Sequence, residues 1–212
     1  MNAAPDRTTP PVLQARNLRF GWPNRPLFDG LSFDLPPGLS LVRGDDGCGK
    51  SSLIRLIAGD LAPESGTLSI HGTRLDAQHS AYRQQVFWID PQTEAHDALS
   101  AAGYLDSLSQ HLPRFSADVL ADLVAGFALE PHLNKPMYML SAGSKRKVWL
   151  SAAFAAGTPL TLIDQPFAAL DAPSMRLLTE LLQDAASHPS RAWVIADYEA
   201  PAGVELASII DL

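Results

Sequence analysis

A chain of 212 residues, 46% hydrophobic and 18% charged, can bury one good core with a small inserted subdomain but has little room for two full domains. Its net charge of −7 argues against a broad basic surface for nucleic acid or anionic lipid, so no nucleic-acid partner is expected. The single cysteine, Cys48, excludes an internal disulfide and a cysteine-rich metal site.

Residues 1–11 are polar and proline-containing and read as a flexible arm without the pattern of a signal peptide. No stretch approaches the roughly 18 apolar residues of a membrane span, so a cytoplasmic protein is expected. Val12–Phe20 and Leu31–Leu35 show partial apolar alternation separated by turn residues and predict antiparallel strands. Leu39–Val42 is a short apolar strand running into a glycine-rich loop, and Lys50–Ala58 reads as a helix stopped by Gly59. Thr67–His71 and Gln85–Ile89 predict two more strands, the second leading to Asp90-Pro91-Gln92. Helical patterns then fill about 93–141, including the apolar face Val119, Leu120, Leu123, Val124 and Phe127 behind a capping candidate, Ser116. Ser141 is placed to cap a helix running to Ala156. Leu160–Ile163 and Ala192–Ala196 are apolar runs of the kind buried on both faces of a parallel sheet, and the helix Ala172–Ala186 between them completes a βαβ unit.

The loop Gly44-Asp45-Asp46-Gly47-Cys48-Gly49-Lys50-Ser51 meets the pattern G-x-x-x-x-G-K-[ST] between a strand and a helix, the context that gives the pattern its meaning. Glycines let successive backbone N–H groups turn toward phosphates, Lys50 adds a full charge, and the Ser51 hydroxyl can ligate Mg²⁺. ATP with Mg²⁺ is the expected ligand. Cys48, inside the loop near a helix N-terminus, is either a small residue at a permissive position or a thiol through which oxidation controls nucleotide binding.

Further along, Leu140-Ser141-Ala142-Gly143-Ser144 precedes Lys145-Arg146-Lys147, and Leu160–Ile163 runs into Asp164-Gln165-Pro166. With these the chain resembles the nucleotide-binding subunit of an ABC transporter, from about Val12 to Leu212. The family's LSGGQ signature stands as LSAGS, and its Walker B strand ends in Asp164. The resemblance implies an α/β fold: a P-loop, RecA-like core with a mixed or parallel sheet, an N-terminal antiparallel β subdomain and an inserted helical subdomain within a single domain, 12–212. It places Trp22 against adenine, unless that residue is a core or strand-edge tryptophan, and Gly44, Gly47, Cys48, Gly49, Lys50, Ser51 and Ser52 around the phosphates. Gln92 matches the glutamine that touches Mg²⁺ and the attacking water, Ser51 and Asp164 the other magnesium residues, and Asp171 a contact to the opposite subunit or, read alone, a helix cap. Ser141, Ala142, Gly143 and Ser144 would face the ATP of a second ABC ATPase subunit, identical or different. A transmembrane transporter subunit would hold the pair at the cytoplasmic face of the inner or plasma membrane. The short form, with Phe87-Trp88-Ile89 and Asp164-Gln165-Pro166-Phe167, is most similar to the subunits that energise haem export for cytochrome c maturation.

Two positions depart from the family. Where it has a catalytic glutamate this chain has Gln165, and where it has a switch histidine the chain has Asp197. A neutral amide cannot accept the proton of the attacking water, and a carboxylate repels a γ-phosphate. Slow hydrolysis is expected in the chain's own site, with an ATP-gated scaffold or regulatory dimer as the alternative to a transport role.

Overall fold

The computed structural model describes residues 10–212; most of the arm expected over 1–11 lies outside that range. Strand β1 (Leu13–Trp22) turns through Pro23 and Asn24 into β2 (Arg25–Leu35), with Trp22 paired to Arg25. The second strand is therefore longer than Leu31–Leu35. Pro26, Phe28 and the other residues before Leu31 extend the ladder because Asn24, at φ 64°, takes the left-handed turn position that asparagine tolerates. β4 (Ser65–Ile70) pairs with β1, and β5 (Thr73–Arg74) closes an antiparallel sheet in the order β2-β1-β4-β5.

β3 (Gly38–Arg43) starts the second sheet, whose order is β6-β7-β8-β3-β9 and whose ladders all run parallel. The other strands are β6 (Val86–Phe87), β7 (Leu160–Asp164), β8 (Ala192–Asp197) and β9 (Ser208–Asp211). Only two residues of the predicted strand Gln85–Ile89 join the ladder. β9, β5 and helix α2 (His79–Arg83) carry too few residues for a periodic signal and form because neighbouring edges offer partners.

Alternation along the parallel strands divides the core. Val42, Leu160, Leu162, Ala192, Val194 and Ala196 face α1 (Lys50–Ala58) and the antiparallel sheet, where Leu53, Ile54, Leu56 and Ile57 are fully buried. Leu39, Leu41, Ile163, Trp193 and Ile195 face the opposite way, toward α5 (Ala142–Ala155) and α6 (Ala172–Ala186). Each fully buried leucine or isoleucine contributes about 1.5–3 kcal/mol of transfer free energy, so both faces of the sheet are strongly fixed.

The inserted segment holds α3 (Ala101–His111), capped by Ser100, and α4 (Ala117–Gly126), capped by Ser116, whose Oγ accepts from Val119 N at 3.2 Å. Turns occupy 94–99, and short 3₁₀ segments at Glu130–His132 and Met137–Met139 lead to α5. Leu123, Phe127, Leu129 and Met137 bury against the α5 side of the core. Among the described residues no helix is long and apolar enough to cross a membrane.

Candidate functional site

The register of the parallel sheet assembles the site. Arg43 pairs with Asp197 and Asp164 with Ala196, so the ends of β3, β7 and β8 lie side by side, with the loop 44–49 leaving the first. Carboxyl ends of parallel strands are where such sheets bind ligands. The loop holds Gly47 at φ 73° and Gly49 at φ 114°, backbone states that favour glycine, and Gly49 opens α1. A cavity of about 240 Å³ lies over it, walled by Trp22, Arg25, Asp46, Lys50, Ser51, Ser52 and Gln165 among others.

Lys50 is 7% exposed, and its Nζ donates to the carbonyls of Gly44 at 2.6 Å and Asp45 at 2.9 Å. The ring of Tyr198 lies 4.5 Å from the same ammonium, within cation–π range, while the Tyr198 hydroxyl donates to Asp46 Oδ1. The cation is thus held on the loop's own oxygens, and phosphate oxygens would have to replace them. Trp22 stands half-exposed at the end of β1, edge-on to Phe20, with Nε1 donating to Ser52 Oγ at 3.3 Å. Cys48 lies inward of the loop, since a Cβ added to Gly44 would meet its Sγ at 2.6 Å.

Asp164 is 9% exposed, and its Oδ1 is buried without a hydrogen-bond partner. Burial raises its carboxyl above the ordinary range, opposed by the Ser51 hydroxyl and the charges of Arg146 and Lys50 and reinforced by the charge of Asp197. A buried carboxylate oxygen with nothing to accept from, beside a serine hydroxyl, is a donor set that fits Mg²⁺. Such an ion would supply charge for the phosphate oxygens.

Gln165 follows directly, at φ 48°, with its N–H donating to Ala196 O at 2.9 Å. This left-handed state is uncommon for a residue with a Cβ and turns the chain out of β7 so that Gln165 joins the cavity wall. Asp197 ends β8, and its Oδ1 accepts from Tyr198 N at 2.8 Å. Gln92 is exposed in the turn after β6, its N–H donating to Asp90 Oδ1 at 2.9 Å, and is not among the cavity walls.

The signature residues form the N-terminus of α5 and also lie outside that cavity. Ser141 caps the helix, its Oγ accepting from Ser144 N at 3.1 Å and donating to Ser144 Oγ at 3.0 Å. Ala142 and Gly143 make the first turn, and a Cβ on Gly143 would stand 2.6 Å from Ala169 O. The glycine thus lets the Phe167–Leu170 turn come close. Asp171 caps α6, accepting from Ser174 N at 2.9 Å, and pairs with Lys147 at 2.7 Å, which together hold its carboxyl well below the usual range.

Three residues escaped the sequence pattern. Arg25, just past the hairpin turn, donates from Nη2 to Gly47 O at 2.6 Å and brings a permanent cation into the cavity. Arg146 donates to Asp164 O at 3.0 Å from α5, and Tyr198 covers Lys50. For Arg25 the available signal was its place three residues after Trp22; the other two reach Asp164 and Lys50 only through the tertiary fold.

The family described as ABC transporter matches residues 28–168. The chain is 34% identical over 181 residues to the cytochrome c biogenesis ATP-binding export protein CcmA of Pseudomonas syringae, covering 84% of each. It is 35% identical over 178 residues to the protein of that name from Paramagnetospirillum magneticum, covering 82% of each. Among solved structures, an ATP-binding subunit of an ABC transporter superposes with a TM-score of 0.78 at 25% identity, over 88% of this chain and 79% of that one. A Pyrococcus furiosus protein titled a putative ABC transporter ATP-binding protein gives 0.75 at 19% identity, over 94% and 96%, and bears on the fold alone. The strand–loop–helix geometry and these matches agree that the chain belongs to the ABC transporter family as an ATP-binding subunit.

Proposed function

We propose that this subunit holds MgATP at Gly44–Ser51 and Asp164, cleaves it slowly in its own site, and drives transport through a separate membrane subunit after pairing with a second ATPase subunit. The observation that carries the reading is the composition of the adjacent ends of β7 and β8. Gln165 lines the phosphate cavity where a base would act, and Asp197, one residue past the Asp164–Ala196 pair, adds negative charge that already disfavours the Asp164 carboxylate. Glutamine can orient a water but not take its proton, and a general base typically contributes about 10²–10⁴-fold.

Ser141 and the first turn of α5 present donors to solvent and not to the chain's own loop, which supports a composite site completed by a second subunit. Asp171 pairs with Lys147 of α5. A groove walled by Arg55, Arg83, Trp88, Asp90, Thr93 and His96, beside Gln92, offers room for a cytoplasmic segment of a membrane partner. Peripheral attachment to the cytoplasmic face of the membrane follows from such a partner. Similarity to proteins named for cytochrome c biogenesis export favours that process, with the cargo selected by the membrane subunit.

Steady-state turnover of the purified chain should be slow while MgATP binding is intact, and Gln165→Glu with Asp197→His should raise turnover by about 10²-fold or more. Turnover at the unmodified chain's rate in the double variant would overturn the proposal. The same two residues favour a second reading, an ATP-gated regulatory dimer without transport. Purification from native membranes separates the two, because only the transport reading requires a multi-span protein to come with the chain.

A further inference from the structure

A cavity of about 540 Å³, remote from the phosphate loop, lies where β7 and β8 begin. Arg191 and Ser190 line it from the segment before β8, Thr158 from the loop between α5 and β7, His111 from the end of α3, Arg114 from the loop after it, and His71 from the β4–β5 turn. No aspartate or glutamate is among its walls, in a chain with 23 acidic residues against 16 basic ones. Neither arginine joins an ion pair among the described residues.

Arg191 is held in place. Its Nε donates to Thr158 O at 2.8 Å, its guanidinium lies 4.3 Å from the Trp193 ring, and Nη2 is shut off from solvent without an acceptor. Burial first, and then the charge of Arg114, press this guanidinium below its usual range. Arg114 is positioned by the backbone: Gly157, at φ 67°, packs so closely that a Cβ on it would lie 2.2 Å from Arg114 O. His111 Nδ1 lies 2.6 Å from Ser107 O, which leaves its Nε2 free. Helix C-termini attract cations, which accounts for His111 at the end of α3. It does not account for Arg191, which enters from the β8 side and brings two uncompensated like charges to one concavity.

We propose that this cavity is a second anion site, taking a small multiply charged ligand of the phosphate or pyrophosphate class. Its volume is within the range of about 300–1,000 Å³ usual for small-molecule sites. Guanidinium groups suit oxyanions, exposed Arg114 can offer paired N–H donors, and Ser190 adds a hydroxyl. Because the walls come from the antiparallel sheet, the inserted helices and the parallel core, a bound anion ties all three together.

The probe is inorganic pyrophosphate, titrated calorimetrically into the chain carrying Lys50→Ala so that the phosphate loop does not compete. Binding at one site is expected, weakened at least about tenfold when exposed Arg114 is also changed to Glu, with an unaltered thermal melt confirming that the variant is folded. Arg114→Glu alone should leave ATP affinity as in the unmodified chain, so failure here is distinct from failure of the ATP reading. Absence of pyrophosphate binding in the Lys50→Ala chain, or equal binding after Arg114→Glu, would overturn the proposal. So would failure of Arg114→Lys to bind more tightly than Arg114→Glu, since any cation at this position should restore attraction.

Discussion

Arg25 reaches the phosphate loop from a different sheet. Its guanidinium has five donors, one engaged with Gly47 O, and no carboxylate partner among the described residues, so it is available to phosphate oxygens entering the cavity. Hydrogen bonds to charged groups are worth about 1.5–3 kcal/mol, and Arg25→Ala should therefore weaken ATP and ADP binding by about tenfold or more. Equilibrium titration with a fluorescent nucleotide measures both. Asp171 gives a pH signature. A carboxyl depressed in the folded state stabilises it above the unfolded value near 3.8, and that contribution is lost as pH falls through the folded value. Asp171→Asn should thus lower the melting temperature at neutral pH, with the difference from the unmodified chain shrinking progressively as pH falls below the unfolded value near 3.8.

At the scale of elements, close approaches decide more than propensity. Gly157 ends the α5 segment in a left-handed state with Arg114 O against it, so Gly157→Ala meets both a steric and a dihedral penalty. A loss of about 1–3 kcal/mol or more in a denaturant melt is expected. Elements with a clear period were legible in the sequence: α1, α6, β7 and β8 have the predicted cores because continuous apolar runs and capping residues identify them locally. Those without one were not. β9 has four residues and exists because β3 offers an open parallel edge, and the first half of β2 contains Pro26 and Gly30 yet stays paired to β1.

For the whole molecule, the phosphate cavity at the ends of β3, β7 and β8 and the capped N-terminus of α5 do not meet within one chain. On the proposed function, pairing of copies or relatives would join them, and slow cleavage would make the joined state long-lived. Sedimentation in MgATP, with the chain alone or with any membrane complex purified with it, should report an assembly containing two ATPase subunits, each of 22.8 kDa for this chain. Ser141→Arg should abolish it while leaving ATP binding by the monomer intact.

The sequence by itself determined the family, the glycine-rich loop between a strand and a helix, and the identities of Gln165 and Asp197, because each of these resides in contiguous residues whose chemistry is local. Only the tertiary structure decided which side chains converge from elsewhere. Lys50 beneath Tyr198, Arg25 on Gly47, the unpartnered Oδ1 of Asp164 and the basic cavity around Arg191 all join residues far apart in the chain, and no local period encodes a contact made by the register of separate strands.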